Sequence, residues 1–207
     1  MPTSGIAGII LAAGASRRMG RPKALLDYRG ETFLARLVRI FGTVCDPVIV
    51  ALGHHARDGA EALLPHVPSG ARVVVNPDPD RGQLSSLQIA LAALPPEASG
   101  FLFTLVDCPA VSEATVAAVK QAFEQRPASC QVVIPRYGGR RGHPVCAAPA
   151  LVQEFLALPP TAETRQVINA RADRILYLDV DDPGVLADAD DPAAYARLTG
   201  KHLEPVR

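Results

Sequence analysis

Short runs of branched and aromatic residues alternate along this chain with stretches whose apolar positions recur every three or four residues. Ile6 to Leu11, Pro47 to Leu52, Arg72 to Val75 and Phe101 to Val106 are short and largely apolar, as expected of strands buried on both faces. After a turn-like Asp27 to Gly30, the positions Leu34, Leu37, Val38 and Phe41 predict a helix that Gly42 stops. Ala56 to Leu64 predicts a second helix, and Leu84, Leu87, Leu91 and Leu94 mark a third. Ser112 is placed to cap a helix carrying Val116, Val119 and Phe123, and Gln131 to Ile134 predicts a further strand. The last third is less regular. Tyr137 to Gly142 reads as a hairpin turn or loop ahead of Pro144 to Ala147, followed by helical stretches near Leu151 to Leu158 and Thr164 to Ala170. A late strand, Ile175 to Leu178, precedes an acidic loop and a short helix from Ala193 to Leu198.

Strands alternating with helices imply an α/β fold with a mostly parallel central sheet and helices on both faces. Its ligands are then expected at the carboxyl ends of the strands. With 207 residues, 48% of them hydrophobic, the chain is expected to form a single domain over 1–207. Lys+Arg and Asp+Glu both number 21, so nothing in the overall charge favours nucleic acid or an anionic membrane, and any charged site must be local. Cys45, Cys108, Cys130 and Cys146 form no CxxC pair, which argues against a zinc or redox motif and fits free thiols in a reducing compartment. With no leader-like start and no apolar run long enough to span a membrane, the cytoplasm is the expected location.

The basic segment Leu11 to Lys23, LAAGASRRMGRPK, follows the first strand directly and so lies on the ligand edge of the expected sheet. Small residues at Ala12, Ala13, Gly14 and Ala15 let backbone N–H groups approach a phosphate chain, while Arg17, Arg18 and Lys23 supply charge against it. The segment departs from both common nucleotide fingerprints. Gly20-Arg21-Pro22 stands where a P-loop needs Gly-Lys-Ser/Thr, and Ser16 stands where the dinucleotide motif needs glycine. A solvated basic turn is the competing reading. Asp107, at the end of the Phe101 to Val106 strand, suits Mg²⁺, which takes one or two carboxylates and fills its octahedron with water and phosphate oxygens; alternatively it is a turn residue before Pro109. Among the late acids, Asp188 and Asp190 are candidate second carboxylates, whereas Asp179, Asp181, Asp182 and Asp191 read as turn and capping residues. Gly82, Ser85 and Ser86 open a predicted helix whose unpaired N–H groups favour a polar or anionic ligand, though ordinary capping accounts for one serine. Arg141, Gly142 and His143 offer a place for a second substrate, and Arg165 is a further cation for an anionic acceptor. His54, His55, His66 and His202 have no partner pattern. No serine lies in a nucleophile elbow and Cys108 has no evident base, so covalent catalysis is not indicated. These features together describe metal-assisted phosphoryl or nucleotidyl transfer.

Leu11 to Lys23 resembles the LAAGxSxRMGxxK signature of nucleotidyltransferases related to the molybdenum cofactor enzymes. Gly82 to Leu87, Asp107-Cys108-Pro109, Arg141 to Val145 and Asp188 to Pro192 resemble that family's G-x-SSL, D-x-P, RGHPV and DIDTP segments, in order and over nearly the whole chain. The resemblance implies a Rossmann-like nucleotidyltransferase fold, with a nucleotide-binding part over about 1–110 and an acceptor-binding part over about 111–207. It also implies Mg²⁺ and attack by an acceptor phosphate on the α-phosphorus of an NTP, with release of pyrophosphate. A molybdopterin-type acceptor is the leading expectation, and a molybdoenzyme is the implied recipient of the product. Ala12-Ala13-Gly14 is more similar to the cytidylyltransferases than to the guanylyltransferases, which tend to carry Ala-Gly-Gly, so CTP is favoured over GTP. Carried over, Arg18 and Lys23 neutralise phosphates, Ala12 to Gly14 frame base and ribose, and Asp107 holds the metal with Asp188 as its best-aligned partner. Gln83-Leu84, Cys108 and Asp191 depart from the family pattern and bear on acceptor identity. The alternatives are a sugar-phosphate nucleotidyltransferase, a guanylyltransferase and a regulatory NTP-binding protein without turnover.

Overall fold

The computed structural model describes residues 5–53 and 60–203. In chain order these form β1 (Ile6–Ala12), a small hairpin of β2 (Asp27–Tyr28) and β3 (Glu31–Thr32), α1 (Phe33–Gly42), β4 (Val48–Gly53), α2 (Ala60–Leu63), β5 (Ala71–Asn76), α3 (Gln83–Ala92), β6 (Gly100–Leu105) and α4 (Glu113–Glu124). The remainder comprises β7 (Val132–Tyr137), β8 (Arg140–Arg141), β9 (Val145–Ala147), α5 (Val152–Ala157), α6 (Arg165–Asn169), β10 (Ile175–Asp179) and α7 (Pro192–Thr199). The expected helix over Ala56 to Leu64 falls partly outside the described residues, as do His54 and His55.

One main sheet runs in the order β10-β7-β9-β6-β1-β4-β5, with β8 paired to β7. β1 lies at its centre, parallel to both β4 and β6, and every residue of β1 is buried. The reason for the continuous apolar run is visible in its two faces. Ile6, Ile10 and Ala12 pack with α1, α4 and α7, whereas Ile9 and Leu11 pack with α3, α5 and α6. Successive strand residues point to opposite faces, so a sheet covered on both sides needs apolar side chains at both parities. α1 starts at Thr32, whose hydroxyl accepts the Ala35 N–H at 3.1 Å, and α4 at Ser112, which caps the Thr115 N–H at 3.1 Å as its sequence predicts.

The carboxyl-terminal third departs from simple alternation. β9 is antiparallel to β6 on one side and to β7 on the other, and β7 turns back through β8 as a hairpin. Parallel order resumes with β10 against β7. Strand order also reverses at the centre: from β1 the chain adds β4 and β5 on one side, then returns to place β6 on the other. Such a switch point leaves a crevice beyond the carboxyl ends of the two diverging strands, here β1 and β6. No helix among the described residues is long and apolar enough to cross a membrane.

Candidate active site

A cleft of about 320 Å³ opens at that crevice, lined by Leu11 to Gly14, Ser16, Arg18 and Lys23 from the basic loop, by Gly82, Gln83 and Ser86 from the start of α3, and by Leu105 to Asp107 and Asp190. The loop holds its shape through three devices. Ser16 adopts a left-handed backbone, φ 48°, and its carbonyl accepts the Met19 and Gly20 N–H groups at 2.9 and 3.1 Å. Its hydroxyl accepts the Lys23 N–H at 3.0 Å. Met19, flanked by exposed Arg18 and Gly20, is 4% exposed and sits in the core, a burial that contributes about 2 kcal/mol to holding the loop down.

Three sequence-distant groups meet here. Lys23 Nζ donates to Asp107 Oδ2 at 2.7 Å and to Asp190 Oδ1 at 2.8 Å. Arg18 reaches Asp190 Oδ2 at 3.5 Å from an exposed position. Burial alone would lower the Lys23 ammonium, but the Asp107 and Asp190 carboxylates outweigh it and hold its pKa above the usual value. The same hydrogen bond from Lys23 holds Asp190 below the usual carboxylate range. Asp188 behaves oppositely: burial, then the like charges of Asp190 and Asp107, push its carboxyl up. Asp188 and Asp190 flank Ala189, which is fully buried and donates its N–H to the Asp107 carbonyl at 2.9 Å. That bond pins the acidic segment beside the end of β6.

Two further anchors set the arrangement. Arg36 Nε donates to the Pro109 carbonyl at 2.7 Å and its Nη2 to that of Val111 at 3.3 Å, with the guanidinium over the Tyr28 ring, so α1 fixes the loop that follows Asp107. Asp182 Oδ2 accepts the Ser112 N–H and the Thr115 hydroxyl, tying the acidic segment to α4. Asp182 is therefore a capping residue, as its sequence predicts.

Of the two helix-start serines, only Ser86 lines the cleft. Ser85 does not line it. Its hydroxyl donates to the Gly82 carbonyl at 2.7 Å and accepts from Asn76 Nδ2 at 2.8 Å, so Ser85 is tied back to the residue before the helix. Gly82 itself has φ 112°, a backbone that a side chain would strain. Asn76 and Arg36 carry weight that no sequence motif marks. An asparagine at a strand end, just before a proline, was the one available signal.

A second cavity of about 520 Å³ lies on the other side of Gly82 and Gln83, which line both spaces. It brings together Arg141, Gly142, His143 and Arg165 with Phe103, Ile134 and Asn169. The Arg141 guanidinium donates to Asn169 Oδ1 at 3.1 Å, and Arg165 is ion-paired to Glu163. The His143 ring stands edge-on to Phe103, and its enclosure lowers its pKa, more than the Asp107 charge restores. Gly142 has a structural reason to be glycine: a Cβ there would stand 2.3 Å from the Val185 carbonyl oxygen. Its place in the wall follows from that packing.

A divalent cation fits the first cleft on the chemistry of its donors. Carboxylate oxygens of Asp107 and Asp190 already converge on one positive charge, and Asp188 adds negative charge that its neighbours disfavour. Among the described residues no three His, Cys, Asp or Glu side chains form a ready-made cage. That suits Mg²⁺ or Mn²⁺, which take one or two carboxylates and draw their other oxygens from water and phosphate.

Fold and site thus define an α/β protein with a cleft walled by a basic loop at a sheet switch point. Residues 8–175 match the MobA-like NTP transferase domain, and the chain belongs to that family. It is 35% identical over 130 residues to a probable molybdenum cofactor guanylyltransferase of Synechococcus elongatus; the match covers 63% of this chain and spans only 64% of that relative's length. It is 36% identical over 152 residues to a nicotine blue oxidoreductase of Paenarthrobacter nicotinovorans, covering 68% of this chain and 69% of that one. A molybdenum cofactor cytidylyltransferase of Escherichia coli is 23% identical over 97% of this chain and 99% of its own. Among solved structures, Rv0371c of Mycobacterium tuberculosis superposes with a TM-score of 0.78 at 29% identity, over 97% of this chain and 100% of that one. A manganese complex of Rv0371c superposes at 0.72 and 27% identity, over 95% and 98%.

Proposed function

We propose that this protein is a divalent-metal-dependent nucleotidyltransferase that moves CMP from CTP to the phosphate of a molybdopterin-type acceptor and releases pyrophosphate. The observation that carries the reading is the convergence of Lys23, Asp107 and Asp190 in one cleft that shares Gly82 and Gln83 with a second cavity. Phosphoryl-type transfer asks a protein for positioning and charge neutralisation more than for covalent chemistry, and the two adjoining spaces offer both.

In this reading Leu11, Ala12, Ala13 and Gly14 frame base and ribose with Ser16, Gly82 and Ser86, while Arg18 and Lys23 neutralise the triphosphate. Arg141, His143 and Arg165 orient the acceptor so that its phosphate oxygen attacks the α-phosphorus. The bond from the α-phosphorus to the bridging oxygen breaks, and pyrophosphate leaves against Arg18 and Lys23. Mg²⁺, held by Asp107 with Asp190 or Asp188, supplies charge neutralisation on the phosphate oxygens when bound; the manganese-bound neighbour supports a divalent ion of this kind. Within one domain, the nucleotide half over about 1–110 borrows its second carboxylate from the acceptor half over about 111–207. The four cysteines, all unpaired, support a reducing compartment, the cytoplasm, where a molybdoenzyme would receive the product.

CTP rests on the Ala12-Ala13-Gly14 segment, which lines the cleft and is more similar to the cytidylyltransferases than to the guanylyltransferases. The guanylyltransferase relatives support GTP instead. Pyrophosphate release measured across CTP, GTP, UTP and ATP, with Mg²⁺ or Mn²⁺ and with molybdopterin or sugar phosphates as acceptors, decides among these. CTP with the pterin is the expected pair. Preference for GTP would reverse the base assignment, turnover of sugar phosphates alone would reverse the acceptor, and redox turnover without pyrophosphate release would overturn the class.

A further inference from the structure

Asn76 closes β5 behind Ser86, is 2% exposed, and spends its whole side-chain amide on its neighbours. Its Oδ1 accepts the Asp78 N–H at 3.0 Å, which fixes which end of the amide is oxygen. Both Nδ2 protons are then committed, one to Ser85 Oγ at 2.8 Å and one to Ser86 Oγ at 2.9 Å. The two hydroxyls differ in what they do next. Ser85 passes its own proton to the Gly82 carbonyl at 2.7 Å. That carbonyl also accepts the Ser85 N–H at 3.1 Å, so the nearest helical acceptor is taken twice over. Ser86 is 4% exposed and lines the cleft, with its oxygen already accepting. Among the described residues its proton has no protein acceptor, which leaves it available to the cleft.

We propose that Asn76 is a positioning residue which fixes the Ser86 hydroxyl as a hydrogen-bond donor, so that this wall of the cleft selects an acceptor atom on the nucleoside, a base carbonyl or ring nitrogen, over an amino group. The assignment rests on the nucleotide-binding reading of the cleft. It also accounts for two adjacent serines beside one buried asparagine, since the bond back to the Gly82 carbonyl uses only Ser85.

The test is binding of Mg²⁺-CTP and Mg²⁺-GTP by isothermal titration to Asn76→Ala, Asn76→Asp, Ser86→Ala and the Asn76→Ala/Ser86→Ala pair, with steady-state KM and kcat alongside. Loss of one neutral hydrogen bond weakens binding by about three- to tenfold. Each single variant is expected to show that loss for the nucleotide the wild type prefers, mostly in KM, and the pair should lose no more than either single change. Asn76→Asp is the discriminating variant. It keeps the shape and the acceptor for Asp78 N–H but receives the Ser86 proton, turning the hydroxyl away from the cleft, so it should bind as weakly as Asn76→Ala. Full affinity in Asn76→Asp, or additive losses in the pair, overturns the assignment. If Asn76→Ala does not fold, Asn76→Asp and Ser86→Ala still decide it. A wild type that binds neither nucleotide defeats the underlying functional reading, a result distinct from variants that bind as well as the wild type.

Discussion

Lys23 Nζ donates to Asp107 Oδ2 at 2.7 Å, closing a loop of 84 residues across the mouth of the cleft. Both groups are mostly shielded, at 13% and 15% side-chain exposure, whereas Asp190, the second partner of Lys23, is 46% exposed. The ammonium offsets the repulsion between carboxylates and, in the proposed function, also presents a cation to the triphosphate. Lys23→Met removes both. Transfer should fall about 10²- to 10³-fold, the loss typical of removing one preorganised charge from a reacting centre. Stability should fall by about 1–2 kcal/mol, less than for a fully buried pair because water reaches Asp190. Pyrophosphate release and thermal melts check the two effects, and added Mn²⁺ should restore part of the melting temperature by replacing the lost charge. A variant with wild-type turnover would remove Lys23 from the chemistry.

Asp188 is the one acid of the cluster whose carboxyl is pushed up, by burial and then by the charges of Asp190 and Asp107. A raised acid is destabilising above its folded pKa, and the penalty is relieved as pH falls through that value or as a cation arrives. Asp188→Asn should accordingly raise the melting temperature of the metal-free protein at pH 7 while weakening Mn²⁺ binding in the presence of nucleotide. Melts with and without chelator, and titration of Mn²⁺ by electron paramagnetic resonance, read the two sides separately. A lower melting temperature in chelator would show that Asp188 is held by contacts stronger than the repulsion.

The alternation of strands and helices was legible because a sheet covered on both faces demands continuous apolar runs, and β1 and β4 obey that demand residue by residue. β9 was not legible as a central strand. Three residues, Val145 to Ala147, carry no periodic signal, and their insertion between β6 and β7 is decided by partners far away in sequence. The site divides in the same way. Lys23 announced itself by charge in the basic loop after β1, Asp107 by its place just past β6 and the Asp188-Ala189-Asp190 segment by its run of acids, and the buried Ala189 explains why Asp188 and Asp190 come at alternate positions. Ser85 and Ser86 could not be told apart, because adjacent helical residues point about 100° from each other and only the fold says which faces the cleft. Arg36 lay hidden in an amphipathic helix, since its partners are carbonyls that no sequence pattern reveals.

Asp182 links the acidic segment to α4 and ought to set the acid limit of the protein. Burial pushes its carboxyl up, but the N–H of Ser112, the Thr115 hydroxyl and the N–H of Gly184 outweigh that and hold it below the usual carboxylate range. An acid with a depressed folded pKa contributes stability that is present above its unfolded value and is lost as pH falls through the folded one. Melting temperature should therefore drop as pH falls below about 4, and Asp182→Asn, with no charge to lose, should show a smaller drop across the same window. Because Asp182 holds the segment that carries Asp190, the variant should also transfer more slowly at pH 7. Parallel melting curves for the two proteins between pH 6 and pH 2 would exclude the assignment.

Glu163 and Arg165 pair at the second cavity, the proposed acceptor site, with Arg165 Nη2 donating to Glu163 Oε1 at 2.8 Å. Both side chains are exposed, at 57% and 72%, so the pair adds little to stability. Its consequence lies in binding: while Glu163 holds the guanidinium, an anionic acceptor must either displace that carboxylate or accept a half-neutralised partner. Glu163→Gln frees Arg165 without removing it. The acceptor KM should fall about two- to fivefold at low ionic strength, in line with the energy of one exposed ion pair, and the advantage should fade as salt screens the exposed charge. Arg165→Ala in the same background should cancel the gain, because Glu163 acts only through Arg165. Initial rates against acceptor concentration at two salt levels supply both numbers. A gain that persists at high salt, or that survives the loss of Arg165, would mean that Glu163 repels the acceptor directly.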